Sequence, residues 1–307
     1  MVCRVWFWFA VIALLCWSGS DLFSKLGCQD EKDSYSHLKM VTAVGLVMGL
    51  HALYEIFVGG AEISGGIMLT YLPVSLLYIL SMTVGYLGLR YIELSISSPI
   101  CNSSGALVAV LALSAGGPGQ DVPPLALAAV ALVCAGVVAL GVIEAGEDEE
   151  LRRARQDESN RHYAKSWIAL VIPVVYCLLD ALGTFADSRV LEVLDEDSAN
   201  VAYELTFCAV GLVSAFYVLV VKKQKLRLRQ EAPKYTGALF ETAGQFFYIY
   251  ALADTEHVAF AAPIISSYCV ASVLWSRVFL KEKLSLKHYG AVLMVVAGVI
   301  ILGILDI

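Results

Sequence analysis

Apolar runs about 20 residues long follow one another along this chain, and few folds accept that pattern. A helix rises ~1.5 Å per residue, so a run of this length crosses the roughly 30 Å of hydrocarbon in a bilayer. It also satisfies its own backbone hydrogen bonds where no water can. Ten runs stand out, at 5–24, 38–58, 67–89, 95–115, 123–144, 166–186, 199–221, 235–253, 256–279 and 286–305. Charged residues make up only 16% of the 307 and mean hydropathy is +0.73, whereas a soluble domain carries about 25% charged residues. The expected product is an all-α, multi-pass integral membrane protein, placed in the cell (plasma) membrane and surrounded by lipid bilayer. The opening "MVCRVWFWFAVIALLCWSGS" has the layout of a secretory leader. Its helical pattern runs on through Asp21-Leu-Phe-Ser-Lys, so it reads as the first span.

Several function classes drop out on composition. The net charge of −7 and the pI near 5.3, with no basic tail, disfavour nucleic acid as a partner. The eight cysteines fall singly in apolar runs, without C-x-x-C or His/Cys spacing. Neither a metal site nor a disulfide framework is expected, and no cofactor is called for. No Ser/His or His/Asp constellation and no Gly-rich phosphate loop stands out, so no catalytic residues are assigned and the chain reads as a non-enzyme.

The chain divides in two. The polar stretch "EAGEDEELRRARQDESNRHYAK" is too charged to enter a membrane and separates five runs from five. "AGVVALGVI" at 135–143 matches "AGVIILGIL" at 297–305, and "SPICNSSGALVAVL" at 98–111 lines up with "APIISSYCVASVLW" at 262–275. Two matches in the same order, half a chain apart, indicate duplication. The expected units are 1–145, a linker at 146–164, and 165–307. An odd number of spans per unit puts the second copy in the opposite sense, which gives ten transmembrane helices in two inverted five-helix repeats.

Most Lys and Arg lie in the connections after spans 1, 3, 5, 7 and 9, as in "KKQKLRLRQ" at 222–230. The positive-inside rule makes those connections cytoplasmic and leaves both termini outside.

The final stretch "SRVFLKEKLSLKHYGAVLMVVAGVIILGI" resembles the end of an EamA domain of the drug/metabolite transporter superfamily. It has a basic residue, then Lys281-Glu282-Lys283-Leu284, then a last helix spaced by Gly290, Gly298 and Gly303. "CWSGSDLFSKLG" at 16–27 is similar to the family's first-helix ending. The resemblance implies ten helices in two EamA-like repeats and a carrier of small metabolites, often driven by protons or exchange. Family substrates range over amino acids, nucleotide sugars, quaternary amines and drugs. Two features depart from the family: "GGPGQDVPP" stands where the "KEKLS" element would recur in the first half, and family members usually keep both termini in the cytoplasm.

Polar residues inside the spans carry the functional reading, because an intramembrane carboxylate costs about 2.5–3.5 kcal/mol on insertion scales. Asp21, Glu55, Asp180, Glu204 and Glu241 are such residues. Glu241, Gln245 and Tyr248 share a helical face, as do Tyr176, Asp180 and Thr184, and Trp17 with Asp21. Tyr203 neighbours Glu204. Span 3 carries a stripe of Tyr71, Ser75, Tyr78, Met82 and Tyr86, span 4 adds Ser98 and Asn102, and span 9 adds Ser266. Acids among aromatic rings suit a cation. Plainer roles stay open: Asp21 can pair with Lys25, Glu55 with His51, and Glu204 can sit near the hydrated interface. The Gly45-x-x-x-Gly49 spacing reads as close helix packing.

The reading reached from sequence is a secondary carrier of a small amine, zwitterion or other cationic metabolite. It works by alternating access, with Glu241, Asp180 or Glu204 able to exchange a proton. A non-transporting sensor or scaffold, or a membrane enzyme, is the alternative. The charge asymmetry generates a topology prediction. Single cysteines placed in the 145–165 and 222–234 connections should resist an impermeant thiol reagent in intact cells and react after permeabilisation. Labelling of both in intact cells would reverse the orientation.

Overall fold

A computed structural model describes residues 5–29, 33–91, 94–115, 123–146, 167–280 and 285–304. The linker beyond Gly146, the residues 281–284 and the first-half segment 116–122 lie outside them. Among the described residues every regular element is helical. The order is α1 (Val5–Cys28), α2 (Ser36–Tyr54), α3 (Gly65–Tyr91), α4 (Leu94–Cys101), α5 (Ser104–Ala115), α6 (Pro124–Ala145), α7 (Trp167–Val190), α8 (Glu196–Phe216), α9 (Leu228–Ala253), α10 (Val258–Ser266), α11 (Tyr268–Phe279) and α12 (Leu286–Ile304). Among the described residues, six stretches are long and apolar enough to cross a membrane: Val5–Cys28, Ser36–Gly59, Gly65–Leu89, Val171–Val190, Glu196–Val221 and Thr255–Phe279. Shorter apolar helices lie at Ser97–Ala112, Pro124–Leu140 and Leu286–Leu302. The outer faces are greasy, as at Leu50, Phe57 and Leu293, which is the pattern a lipid environment demands.

The fourth and ninth runs are not the continuous helices expected from sequence. Each is broken, between α4 and α5 and between α10 and α11. Each break comes four residues after a proline, at Ser103 after Pro99 and at Ser267 after Pro263. A proline's missing N–H and its ring act on the turn before it, and those turns are helical here. There the serine hydroxyls take up backbone carbonyls, Ser103 Oγ donating to Pro99 O at 3.0 Å and Ser267 Oγ to Ile264 O at 2.5 Å. The eighth run is a helix that begins earlier than read, at Leu228, because its first turns carry Arg229, Glu231 and Lys234.

Helices pair across the halves. The main contacts are α1 with α9, α3 with α7, α2 with α8 and α6 with α12, and the broken spans meet as α5 with α10 and α4 with α11. Exchanging each helix for its counterpart in the other half carries this set of pairs into itself. Local details repeat in the same way. α2 ends in a π turn at Glu55–Gly59 and α8 in another at Tyr217–Val221. A Cβ on Gly136 would meet Val295 Cγ2 at 2.6 Å and Ala291 O at 2.9 Å, and one on Gly298 would meet Val133 Cγ2 at 2.6 Å and Ala129 O at 2.8 Å. In lipid no hydrophobic force separates helix from tail, so such small-residue contacts supply the association. At α2–α8, Gly45 touches Gly211 and Phe207, and Gly49 touches Cys208, as its spacing suggested.

One end of the bundle, where α1 and α3 finish and α2 and α9 begin, holds buried charge. Lys39 Nζ lies 2.8 Å from Asp33 and 3.3 Å from Glu231, and Lys234 Nζ lies 2.7 Å from Glu231. Lys25 Nζ donates to Leu89 O at 2.7 Å. At the other end Asp195 caps α8, accepting from the Ser198 N–H at 2.9 Å. Partial burial alone would raise its carboxyl, but the N–H bonds outweigh that and hold it below the usual carboxylate range. Its support of the cap is therefore present at neutral pH and lost as acid protonates it.

The α2–α8 contact yields a prediction. A Cβ on Gly45 would stand 2.7 Å from Phe207 O and 2.8 Å from Gly211 Cα, both backbone and unable to swing aside. Gly45→Val should destabilise the protein by about 1–3 kcal/mol, read as a lower thermal midpoint in detergent. Gly290→Ala, where a Cβ meets nothing within 4 Å, should leave that midpoint unchanged.

Candidate functional site

The two broken helices cross at their breaks. A Cβ on Gly105 would collide with Ser266, 2.5 Å away, and with Ala262 O at 3.0 Å. Beside this crossing a cavity opens, lined by α1, α3, α4, α7, α8, α9, α10 and α11. Its atom-free space, mouth included, is about 900 Å³.

Of the residues singled out from sequence, Trp17, Asp21, Tyr78, Asn102, Tyr176, Asp180, Tyr203, Glu241, Gln245, Tyr248 and Ser266 all line this cavity. Glu204 does not. It is fully buried between α8 and α2, where both its oxygens lie about 3 Å from His51 Nδ1, 2.9 Å for Oε1 and 3.0 Å for Oε2. His51 Nε2 faces Glu55 at 3.5 Å, so one imidazole serves two carboxylates.

Each cavity acid is held by hydroxyls of another helix. Asp21 Oδ2 accepts from Ser98 Oγ of α4 at 2.5 Å and from Ser272 Oγ of α11 at 2.8 Å, joining both broken spans to α1. Asp180 accepts from Ser104 Oγ, at the start of α5, at 2.7 Å. Glu241 accepts from Ser20 Oγ at 2.6 Å and feels the charges of Asp21 and Asp180. Three carboxyls thus converge on one space, two from the second half and one from the first. All three line the cavity. Ionised together they would repel one another, a repulsion that either a proton or a cation relieves.

Aromatic rings fill the wall between them. Trp17 lies 4.9 Å from Tyr248 and 5.8 Å from Tyr268, and Tyr78 lies 5.9 Å from Tyr203 and 6.0 Å from Tyr248. Trp17 is held there because Gly244 leaves room for its indole. Three polar atoms of the lining residues, Ser24 Oγ, Tyr86 OH and Gln245 Nε2, lack a hydrogen-bond partner within the protein, at a cost of about 1–3 kcal/mol each for fully desolvated groups.

Some of the site escaped sequence reading. Ser20, Ser104 and Ser272 are ordinary serines until the carboxylates they hold are known. Tyr268 stands just past the α10–α11 break, which sequence reading took as unbroken helix. Asp187 is fully buried and accepts from Tyr71 OH at 2.7 Å. It continues the face Tyr176–Asp180–Thr184 by one more turn, and the end set for that span at residue 186 hid it.

Among known proteins, residues 165–304 match the EamA-like transporter family. No curated protein matches. A solved structure described only as "Crystal structure of protein" is similar, at 14% identity and a TM-score of 0.66 over 97% of this chain and 98% of its own. At that identity the likeness shows the fold alone.

The pairing of Glu204 with His51 carries a prediction separate from the cavity. His51→Ala strands a fully buried carboxyl and should lower stability by about 1–3 kcal/mol. Glu204→Gln should leave binding to the cavity unchanged. A loss of binding in Glu204→Gln, with the fold intact by circular dichroism, would return Glu204 to the site.

Proposed function

The chain carries an EamA-like transporter domain over residues 165–304, of the drug/metabolite transporter superfamily, and we propose that the whole is a secondary carrier of a small, positively charged metabolite. An amine, a quaternary ammonium compound or a zwitterion fits the class. One observation carries the reading. Asp21, Asp180 and Glu241 meet in a single cavity walled by Trp17, Tyr78, Tyr203 and Tyr248, at the crossing of two broken helices. Ring faces attract cations, and a desolvated contact contributes about 2 kcal/mol. Broken helices around a midplane site are how carriers expose backbone groups to a substrate without exposing them to lipid.

Ten spans in two inverted repeats supply the motion. The reading is supported by the exchange symmetry of the helix pairs, by the matching breaks at Ser103 and Ser267, and by the matching π turns. Two similar halves give two nearly equivalent arrangements, with the cavity open first to one side and then to the other. The buried Lys39–Glu231–Lys234 cluster closes the end where α2 and α9 begin. Opening there would part α2 from α9 and expose those charges to water, which hydrates them and limits the cost.

Matched series of primary amines, zwitterions and carboxylates should bind the purified protein in the order amine or zwitterion first and anion last. Glu241→Gln and Asp180→Asn should each weaken the preferred ligand about tenfold, roughly 1.4 kcal/mol. Preferential binding of the anions, undiminished by Glu241→Gln, would overturn the reading.

A further inference from the structure

Asp187 lies behind the cavity, outside its lining, and is fully buried. Tyr71 OH donates to its Oδ1 at 2.7 Å and Tyr78 OH reaches its Oδ2 at 3.5 Å. Tyr78 OH also contacts Thr184 Oγ1 at 3.1 Å and makes a short hydrogen bond with Tyr248 OH. Tyr78 and Tyr248 are both cavity residues. An unbroken file of hydroxyls therefore links a carboxyl that cannot touch the substrate to a ring that can. Tyr71 and Tyr78 from α3, Tyr203 from α8 and Tyr248 from α9 are titratable groups that face Asp187, with Asp180 on its own helix beyond them. Arg189, two residues on, is paired with Glu192 at 2.7 Å.

We infer that Asp187 is a proton-binding site of the carrier, separate from the acids of the cavity, and that Tyr78 and Tyr248 transmit its protonation state to the substrate. The inference rests on the cavity being the binding site. It follows from counting protons, because each tyrosine hydroxyl has one to donate. With Asp187 ionised, Tyr78 donates to Oδ2, so Tyr248 must donate to Tyr78, and Tyr248 turns only lone pairs to the cavity. With Asp187 protonated at Oδ2, the carboxyl donates to Tyr78, the Tyr78 proton is left for Tyr248 or for Thr184 Oγ1, and where it goes to Tyr248 that ring turns its own O–H to the cavity. The same file carries the proton out. The carboxyl O–H bond breaks as Tyr78 takes that proton, Tyr78 passes its own to Tyr248, and Tyr248 releases its own to water in the cavity. The hydroxyls are left in the arrangement that belongs to the ionised carboxylate. An ammonium group has donors only and prefers the Tyr248 that offers lone pairs. Proton and cation therefore oppose each other, and by linkage each lowers the other's affinity by the same factor. This is the coupling an exchanger needs, with a proton entering as the amine leaves.

Infrared difference spectra between acid and neutral pH, taken on protein in liposomes with no transported molecule present, test the site. A carboxyl C=O band should appear on acidification, be lost in Asp187→Asn, shift in Tyr71→Phe, and persist in Asp180→Asn. Its persistence in Asp187→Asn would overturn the assignment. Tyr78→Phe should keep the band but slow its appearance after a pH jump, and an unchanged rate would overturn the relay. The measurement uses no substrate, so its failure is distinct from failure of the carrier reading, which would show in the ligand series.

Discussion

A carboxylate enclosed by hydrocarbon has to find its donors within the protein, and serines supply them here. Asp21 draws Ser98 from α4 and Ser272 from α11, Asp180 draws Ser104 from α5, and Glu241 draws Ser20 from α1. These bonds tie the broken spans to the straight ones that surround them. Broken spans are possible only because polar side chains satisfy the backbone groups freed at Ser103 and Ser267. Acids, breaks and cavity thus depend on one another. Removal of the acids would leave the serine hydroxyls without acceptors, and removal of the breaks would pull those hydroxyls out of reach.

Much of this was legible in the sequence. The helical class and the cavity face of α9 follow from hydropathy and from the spacing of Glu241, Gln245 and Tyr248, and six of the ten runs correspond to described stretches long and apolar enough to cross a membrane. Most of the polar and aromatic residues named within the spans line one cavity, because residues three and four apart on a helix share a face whatever the tertiary structure. The misses have physical reasons. Glu204, like Asp180, is an acid inside a span, but position along a helix says nothing about which neighbour that face meets. Its face turns toward His51. The breaks in the fourth and ninth runs were foreshadowed by Pro99 and Pro263, yet proline inside an apolar run also occurs in intact helices. Pro73 in α3 and Pro173 in α7 are such cases.

The polar groups at the two ends of the bundle differ in chemistry. Toward the start of α9 they are ionic, with two lysines and two acids in close array. Toward the end of α7 they are a set of hydroxyls around one carboxyl. Ions become better solvated when water reaches them, whereas a hydroxyl file loses its order.

The reciprocal glycine contacts between α6 and α12 bear on how such a chain can be divided. Gly136 is a slot for Val295 and Gly298 is the same slot for Val133. Each half therefore carries both the knob and the recess at this contact. The halves are not two domains side by side. They are interlocked, α1 resting on α9 and α3 on α7, so neither half has a finished interior of its own. A chain cut in the connection between them should still assemble from its two pieces, while either piece alone would seek a second copy of itself.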